Sequence, residues 1–447
     1  GLNSLMQDFS KARYPDSKSD LFAMFMERTL LLLLSRGMVA MINMQSWMFI
    51  PTFEKLRKKL LSSSTFLSMA HLGERGFDSI GGAVVSTTAF VLWKQSMPRK
   101  LGQFVRLTEG RNEAQKSEGL VSAALGKSPA ILFNASAEDL LSVPGAPISY
   151  WLSNRVRSAF LNNPSISSVF FSDGLTKTGD NDRFLRFSWE VNSKDAFNKD
   201  RFRVCVKGGE WRKFYGNLEV LVNWSPSIRR HYRADHVARI TPDYLWERSG
   251  ISWTKISSQG SSFRWFGNGM IAETGGPAIY ANEGVNDKEF WSALSFLSSS
   301  VSESILSSIN PTINLQTNDI LALPFIDCSS KGSAAAGFSA FQIAKADWDA
   351  YETSWDFTTL PLLDPAHRGA SLAATYQTLR AHWQGMTDEM QRLEEENNRI
   401  FIDAYGLQDE LTPEVPLEEI TLTCNPAYRY GGKATEAELE ARLMSDT

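Results

Sequence analysis

Residues 20–49 have the sequence DLFAMFMERTLLLLLSRGMVAMINMQSWMF, which joins two kinds of hydrophobic pattern. Apolar residues recur at helical spacing after Asp20, whose carboxylate suits a helix N-terminus, and Gly37 ends this pattern. Residues 38–44 then form a largely apolar run of strand length. The stretch therefore predicts an amphipathic helix followed at once by a buried strand.

A second helix and two more strands continue this pattern toward residue 105. The amphipathic segment 53–61 predicts the helix. Two apolar runs, 83–85 and 89–93, follow the turn at Gly81-Gly82 and predict strands. The pattern therefore predicts that residues 1–105 form the later part of an α/β domain, beginning in the middle of its sheet.

The remaining chain divides into two further regions. Residues 106–330 have short apolar runs broken by Gly, Asn, Ser and Pro, and they contain most of the thirteen Trp. This composition predicts an irregular α+β domain. The Ser/Gly/Ala-rich segment 329–337 predicts a linker, so that a third region covers 331–447.

The third region contains a heptad pattern that predicts one long helix at about 371–405. Its positions alternate steps of four and three: Leu372, Tyr376, Leu379, Trp383, Met386, Met390, Leu393, Asn397, Ile400 and Ala404. Asn397 is polar, a residue type that fixes register in coiled coils. Two arrangements fit: a coiled coil with a partner helix, or a helix packed on its own domain.

Composition indicates a globular protein without the overall positive charge that is typical of nucleic-acid-binding proteins. The 447 residues are 43% hydrophobic and carry a net charge of −4. Three widely spaced cysteines, Cys205, Cys328 and Cys424, predict neither disulfides nor a zinc site, so we expect a reducing, cytoplasmic location. The apolar run 30–34 is too short for a membrane span. The start at Gly1 resembles neither a signal peptide nor a natural N-terminus, so we expect it to lie within a domain.

One segment departs from the slightly acidic average. Residues 201–239 contain nine Lys or Arg against three Asp or Glu, and aromatic residues alternate with them. Cations that neutralise phosphates, interleaved with aromatics, are typical of a nucleic-acid surface. A solvated charged face over core aromatics is the alternative. His231 and His236 are five residues apart and therefore on different helix faces, so we predict no metal site.

The order of elements in residues 18–94 resembles the γ class of adenine-N6 DNA methyltransferases. The helix after Ser19-Asp20, the strand at 38–43 and the turn at 73–82 follow the order found after the Asn-Pro-Pro-Tyr catalytic tetrapeptide of that family. The resemblance implies the C-terminal half of a Rossmann-like methyltransferase sheet. It departs from the family at residues 35–37, where Ser-Arg-Gly replaces Pro-Gly-Gly.

This resemblance also implies roles for individual residues. Phe77 would stack on the flipped target adenine, which has lost its duplex stacking. Asp20 and Phe22 would belong to the wall of the pocket on the cofactor side. No residue of the catalytic tetrapeptide itself is recognised, because Asn425-Pro426-Ala427-Tyr428 has Ala at its third place and follows the motifs it should precede.

Two basic-aromatic segments, 207–217 and 251–266, resemble the target-recognition domain of large combined methyltransferases. With the C-terminal runs 397–411 and 418–426, the resemblance narrows to the adenine-specific methyltransferases of BREX phage-defence systems and covers essentially the whole chain as an interior piece. The residues expected to contact DNA are Lys207, Arg212, Lys213, Tyr215, Lys255 and Arg264.

The family implies S-adenosylmethionine as methyl donor, double-stranded DNA as substrate, and other BREX proteins or phage inhibitors as possible partners. Because the donor-binding loop and the tetrapeptide are not found, we expect the 447 residues alone to be inactive. Alternatives are a non-catalytic DNA-specificity or partner-docking module, and methylation of RNA or protein. The recognition sequence and the oligomeric state do not follow from the sequence.

Overall fold

The computed structural model describes residues 3–79, 85–196, 198–260, 262–432 and 434–447. The chain forms two compact units. The first comprises Gly1–Asn162 with Ser307–Pro311, and the second comprises Asn163–Leu306 with Thr312–Thr447. This division coincides with neither of the boundaries predicted at 105/106 and 330/331.

The first unit contains one sheet and six helices within its described residues. The strands are β1 (Met38–Met44), β2 (Thr65–Gly73), β3 (Thr87–Trp93), β4 (Gly102–Arg106) and β5 (Leu132–Ala135). The helices are α1 (Ser4–Arg13), α2 (Leu21–Leu32), α3 (Glu54–Ser63), α4 (Glu113–Ala124), α5 (Ala137–Leu141) and α6 (Asn154–Asn162).

The five strands form a mixed sheet in the order β1-β3-β2-β4-β5. Strand β3 pairs antiparallel with both β1 and β2, β2 pairs parallel with β4, and β4 pairs antiparallel with β5. Because β4 and β5 belong to this sheet, the sheet material extends past residue 105 to Ala135, which corrects the predicted end of the first region.

In the stretch 20–49 the helix and the strand form where the pattern predicts them, but the strand is not buried as predicted, because β1 is an edge strand on which Met38, Ile42 and Met44 are exposed. Helix α2 begins after Asp20, which caps it, and β1 follows after Gly37. Helix α3 confirms the helix predicted at 53–61, and β3 contains the strand predicted at 89–93. The strand predicted at 83–85 begins at residues 83 and 84, which lie outside the described residues. Strand β2 was not predicted, although it lies between the two strands with which it pairs.

Aromatic side chains fill the core of the first unit. Trp47 contacts Phe66 and Phe90, with ring centroids 6.1 and 5.4 Å away, and Phe104 stacks on Tyr150 at 4.7 Å. The core therefore joins residues on both sides of position 105, which explains why the chain does not divide there.

The second unit contains two small sheets and helices of very different lengths. Its strands are β6 (Phe170–Phe171), β7 (Leu185–Phe187), β8 (Phe202–Val206), β9 (Val220–Asn223), β10 (Gly250–Ser252), β11 (Arg264–Phe266), β12 (Ile271–Ala272) and β13 (Ala278–Ala281). Its helices are α7 (Asn181–Phe184), α8 (Ser193–Ala196), α9 (Pro226–Ala234), α10 (Asp287–Leu297), α11 (Ser300–Ile309, which continues into the first unit), α12 (Thr317–Leu321), α13 (Ser333–Asp349), α14 (Leu372–Tyr405), α15 (Pro426–Tyr430) and α16 (Glu436–Asp446).

One sheet has the order β11-β10-β13-β6 and is antiparallel throughout. The other has the order β12-β8-β9-β7, with β12 and β8 parallel and the remaining pairs antiparallel. Short strands among irregular loops confirm the predicted mixed α/β character of the chain. The arrangement as half of a Rossmann-like sheet followed by a target-recognition domain and a spacer remains a prediction.

The segment predicted as a linker, 329–337, instead forms a short 3-10 turn (Ser329–Lys331) and the start of helix α13. Helix α13 packs against α10, and Ser333, Ala336 and Gly337 are among its buried residues. A Cβ atom on Gly337 would lie 2.1 Å from Ser295 Oγ and 2.9 Å from the Trp291 carbonyl oxygen. The small side chains of this segment therefore allow α10 and α13 to approach closely. Ser, Ala and Gly are common at such helix contacts as well as in linkers.

Helix α14 matches the helix predicted at about 371–405. It packs against α13 and α10, and its heptad positions Leu379, Trp383, Met390, Leu393 and Asn397 are buried. The Asn397 side chain donates a hydrogen bond to the carbonyl oxygen of Ser295 (2.8 Å). Of the two predicted arrangements, the structure has the helix packed on its own unit.

Candidate base-binding turn and nucleic-acid surface

The turn that contains Phe77 directly follows the carboxyl end of β2. Gly73 and Arg75 have positive φ angles of 66° and 53°, which turn the chain sharply, and the Phe77 side chain is partly exposed. Asp78 connects the turn to the start of α4, because its carboxylate accepts a hydrogen bond from the Glu113 amide (3.1 Å). The turn is thus fixed at the carboxyl end of β2, and ligands of α/β proteins commonly bind at the carboxyl ends of strands. The stacking role of Phe77 remains a prediction.

A buried histidine lies at the same end of the sheet. His71 Nε2 is 2.7 Å from Gln45 Oε1, and His71 Nδ1 is 3.0 Å from the Tyr150 hydroxyl. Burial, with the nearby charges of Arg106 and Lys116, lowers the pKa of His71 to about 4. The imidazole is therefore neutral near pH 7, donating from Nε2 to Gln45 and accepting the Tyr150 hydroxyl proton at Nδ1.

Trp151 extends this cluster toward solvent. Its ring stacks on His71 with centroids 6.1 Å apart, and the Arg106 guanidinium lies 4.7 Å from the Trp151 centroid. The Trp151 indole also donates a hydrogen bond to Ser308 Oγ (3.2 Å). These contacts form an aromatic wall beside the strand ends. His71 could not be linked to Tyr150 and Trp151 from the sequence, because it lies 79 residues before Tyr150 and none of the three belongs to a motif.

Asp20 and Phe22 are placed by the local structure of α2. The Asp20 carboxylate is exposed and accepts a hydrogen bond from the Phe22 amide (3.4 Å). The Phe22 ring is half-buried and packs on Phe53, with centroids 5.7 Å apart. Together they offer one hydrogen-bond acceptor and one apolar surface. These groups suit contact with one side of a methyl donor that contains a nucleoside, but they do not form a complete binding site for it. Their role in the pocket wall remains a prediction.

A separate cavity of about 650 Å³ lies on the face of the same sheet, against α4. Its lining contains no charged side chain and includes Ala40, Ile42, Ala70, Val91 and Leu120. A methyl donor with an amino-acid moiety requires charged partners, so this cavity does not fit it. Neither Asp20 nor Phe22 lines the cavity.

Four of the six residues predicted to contact DNA are buried in the second unit. They are Arg212, Lys213, Tyr215 and Arg264. Arg212 lies over the Trp348 ring and 3.5 Å from Asp347, and Lys213 forms an ion pair with the buried Glu394. Cations that are paired inside the core cannot contact phosphates at the surface.

Arg264 is likewise enclosed. Its guanidinium donates to the Arg212 carbonyl oxygen (3.2 Å), to the Ser262 carbonyl oxygen (3.2 Å) and to Thr254 Oγ1 (3.2 Å). Burial lowers the pKa of Arg264 to about 10. The prediction that these four residues form a DNA-contacting surface is therefore wrong. The alternative, a solvated charged face over core aromatics, does not describe these residues either, because their charged groups are buried in the core.

Lys207 and Lys255 are partly exposed, and their contacts with DNA remain a prediction. Lys207 lines an open cavity of about 320 Å³ together with Arg186, Phe187 and Glu190. Lys255 donates its backbone amide to the Gly275 carbonyl oxygen (3.1 Å), which fixes its backbone.

The Asn425-Pro426-Ala427-Tyr428 sequence is structural, as predicted. Asn425 is buried, and its side-chain amide donates to the carbonyl oxygens of Leu417 (2.7 Å) and Ile420 (2.9 Å). Its amide hydrogens are thus satisfied within the chain and are not directed at a substrate.

Comparison with known proteins identifies relatives along the whole chain. Residues 2–77 match the family described as Eco57I restriction-modification methylase. The full chain is 33% identical to part of the adenine-specific methyltransferase BrxX of Escherichia coli O9:H4 (strain HS) and covers 36% of that protein. The chain is homologous to adenine-specific methyltransferases. It is also 32% identical, over 92% of its length, to PglX of Lacticaseibacillus casei (strain Zhang), another adenine-specific methyltransferase, of which it covers 35%.

These relatives confirm the predicted resemblance, and the chain spans about a third of the length of each. The fold is also similar to that of the Type IIL restriction-modification enzyme MmeI, solved in complex with DNA. The TM-score is 0.52 at 13% identity, over 99% of this chain and 55% of that one. At this identity the likeness concerns the fold alone. Among the described helices, none is long and apolar enough to cross a membrane.

Proposed function

We propose that this chain is part of a site-specific methyltransferase that transfers a methyl group from S-adenosylmethionine to N6 of adenine in double-stranded DNA. The observation that carries the proposal is the 33% identity to an adenine-specific methyltransferase over the full chain. The position of Phe77, fixed in a turn at the carboxyl end of β2, supports it.

In this proposal Phe77 stacks on an adenine rotated out of the duplex. Extrusion costs the base a few kcal/mol of stacking and pairing, which an aromatic face in the pocket returns in part. The partly exposed Phe77 ring is available for such a contact. His71, Tyr150 and Trp151 form an aromatic cluster at the same end of β2 as the Phe77 turn.

S-adenosylmethionine supplies the methyl group when it is bound. Asp20 would accept a hydrogen bond from a polar group of the donor, and Phe22 would contact its apolar part. These two residues do not form a complete donor site, and the groups that bind the adenine amine are expected elsewhere in a longer protein. We therefore propose that the 447 residues alone do not methylate DNA, and that phage defence is the function of the longer protein.

Methyl incorporation into duplex DNA tests the proposal. A longer methyltransferase that contains this chain should label adenine N6, and the isolated chain should not. Phe77→Ala in the longer protein should lower kcat/KM about tenfold or more, with a smaller loss on duplexes mismatched at the target adenine. Phe77→Trp should retain most activity because it preserves the aromatic face.

Phe9→Ala is the matched control, because Phe9 is an exposed phenylalanine on α1 of the same unit. It should leave kcat/KM unchanged. Normal methylation by the Phe77→Ala protein would refute the stacking role. Strong activity of the isolated 447 residues would refute the proposal that part of the active site lies outside them.

A further inference from the structure

Helix α16 is held to the second unit by few buried side chains. Of its residues, all of which the structure describes, Leu443 alone is buried, whereas α13 and α14 bury residues along their whole length. Gly431 and Gly432 precede it with positive φ angles of 53° and 80°, so the chain turns sharply after α15. A helix of 11 residues is too short to be stable by itself in water. The order of α16 therefore depends on its contacts with α14 and α15.

Opposite charges supply several of these contacts. The Arg380 guanidinium of α14 donates to both carboxylate oxygens of Glu440, from Nε at 2.8 Å and from Nη2. On α15, Arg429 lies 3.5 Å from the Asp446 carboxylate, and Tyr430 donates its hydroxyl to the same carboxylate (2.6 Å). Ion pairs that water reaches contribute little to stability and are screened by salt. The attachment of α16 is thus weak and salt-dependent.

The surface of α14 beside Glu440 contains two buried polar atoms without a partner. No described residue forms a hydrogen bond with Tyr376 Oη or with Arg380 Nη1. The two residues are four apart on α14 and therefore lie on one face. Burial and the charge of Glu440 raise the pKa of Tyr376, so its hydroxyl lies near the carboxylate of α16. Each unpaired atom costs free energy that water would return if α16 moved away.

We infer that α16 is a displaceable arm, which opens separately from the rest of the second unit, and that an acidic helix of another molecule can bind in its place. The acceptor face for either helix consists of Tyr376, Arg380, Arg429 and Tyr430. Charge complementarity selects this occupant, because α16 itself carries four carboxylates against one arginine. In the closed arm, α16 competes with such a partner from within the chain.

Hydrogen exchange of the 447-residue chain, followed by mass spectrometry, tests the opening of the arm. Amides of 438–446 should exchange at least about a hundredfold faster than those of the buried segment 390–402, since α16 opens without global unfolding. Salt raised from about 50 to 500 mM should accelerate this exchange, because it screens the ion pairs. Leu443→Ala should accelerate it about tenfold or more and leave the urea midpoint of the chain unchanged.

Charge at the acceptor face is tested in the same way, with two matched controls. Arg380→Gln should accelerate exchange of 438–446 about threefold or more, because it removes both bonds to Glu440. Met444→Ala removes an exposed apolar side chain next to Leu443, and Arg399→Gln removes an exposed cation from α14. Neither control should change the exchange of 438–446.

A fluorescently labelled peptide of residues 434–447 tests whether a separate acidic helix binds. It should bind the Leu443→Ala chain at least about tenfold more tightly than the unmodified chain, in which the linked α16 competes at high effective concentration. Adding Arg380→Gln to the Leu443→Ala chain should weaken this binding about tenfold or more, and Glu440→Gln in the peptide should do the same.

Exchange of 438–446 as slow as that of 390–402, or a urea midpoint that falls in Leu443→Ala, would show that α16 unfolds only with the whole unit and would overturn the inference. Controls that exchange as fast as Leu443→Ala would overturn it as well. Peptide binding that is equal in the unmodified and Leu443→Ala chains, or absent from both, would refute the acceptor face.

Discussion

The ammonium group of Lys213 forms an ion pair with the carboxylate of Glu394, and both side chains are buried. Burial raises the pKa of Glu394, while the charge of Lys213 acts in the opposite direction. The pair joins a loop of the second unit to helix α14. Lys213 therefore has a structural role, although its sequence context suggested contact with phosphates.

Lys213→Met is expected to destabilise the chain by about 3 to 5 kcal/mol, because Glu394 is left buried without its cation. Urea unfolding measures the free energy of unfolding. The double variant Lys213→Met, Glu394→Leu should recover most of the loss, since it removes both charges. A loss of DNA affinity by Lys213→Met without loss of stability would instead support the original surface assignment.

The close contact between α10 and α13 predicts a strong effect of a single methyl group. Gly337→Ala should destabilise by about 1 to 3 kcal/mol, because its Cβ atom would overlap Ser295 Oγ. Gly385→Ala on α14 is the matched control. Nothing lies within 4 Å of its Cβ position, so helix propensity should make it neutral or stabilising by about 0.5 to 1 kcal/mol. Equal urea midpoints for the two variants would contradict the helix contact.

Local pattern predicted α2, β1, α3 and α14 because their burial follows the periodicity of helix and strand. It did not predict that 329–337 forms a helix, because small residues serve both linkers and tight helix contacts, and only the position of α10 distinguishes them. The site shows the same limit. A sequence gives the charge of Arg212 but not the Asp347 and Trp348 that enclose it.

Residues brought together from distant positions were also not predictable. His71 and Tyr150 are 79 residues apart, and Tyr150 is placed beside His71 by stacking on Phe104 of β4, the neighbour of β2, which no local pattern specifies. The turn that contains Phe77 followed from family resemblance, whereas strand β2, which this turn follows, was not predicted.

Arg57 should be essential to the stability of the first unit. Its buried guanidinium donates to the carbonyl oxygens of Trp47 (2.9 Å), Ile50 (2.8 Å), Gly145 (2.8 Å) and Ala146 (3.0 Å). Burial lowers its pKa to about 10, so it stays charged near pH 7.

Arg57→Met removes the guanidinium donors from all four carbonyl oxygens, of which that of Ile50 keeps the Phe53 amide, and should cost about 3 to 5 kcal/mol in urea unfolding. Arg57→Lys should cost nearly as much, since one ammonium group cannot reach four acceptors arranged around a planar guanidinium. Lys58→Met, on an exposed neighbour in α3, should change stability by less than about 0.5 kcal/mol. A small effect of Arg57→Met would mean that water replaces the guanidinium.

His71 predicts a specific dependence of stability on pH. Its pKa of about 4 in the folded chain lies below the ordinary value of 6.5, because burial and the charges of Arg106 and Lys116 disfavour the imidazolium ion. As pH falls from 6.5 toward 4, the unfolded state binds a proton that the folded state does not. The contribution of His71 to the free energy of unfolding is therefore fully present above pH 6.5. It decreases by about 2 kcal/mol between pH 7.5 and 5.

The His71→Gln variant isolates this contribution from that of the other titrating groups. The substitution has a fixed cost at pH 7.5, where the histidine is neutral, through altered hydrogen bonds to Gln45 and Tyr150. Because glutamine does not titrate, the difference in unfolding free energy between the two proteins should shrink by about 2 kcal/mol at pH 5. A difference that stays constant from pH 7.5 to 5 would show that His71 titrates alike in the folded and unfolded states.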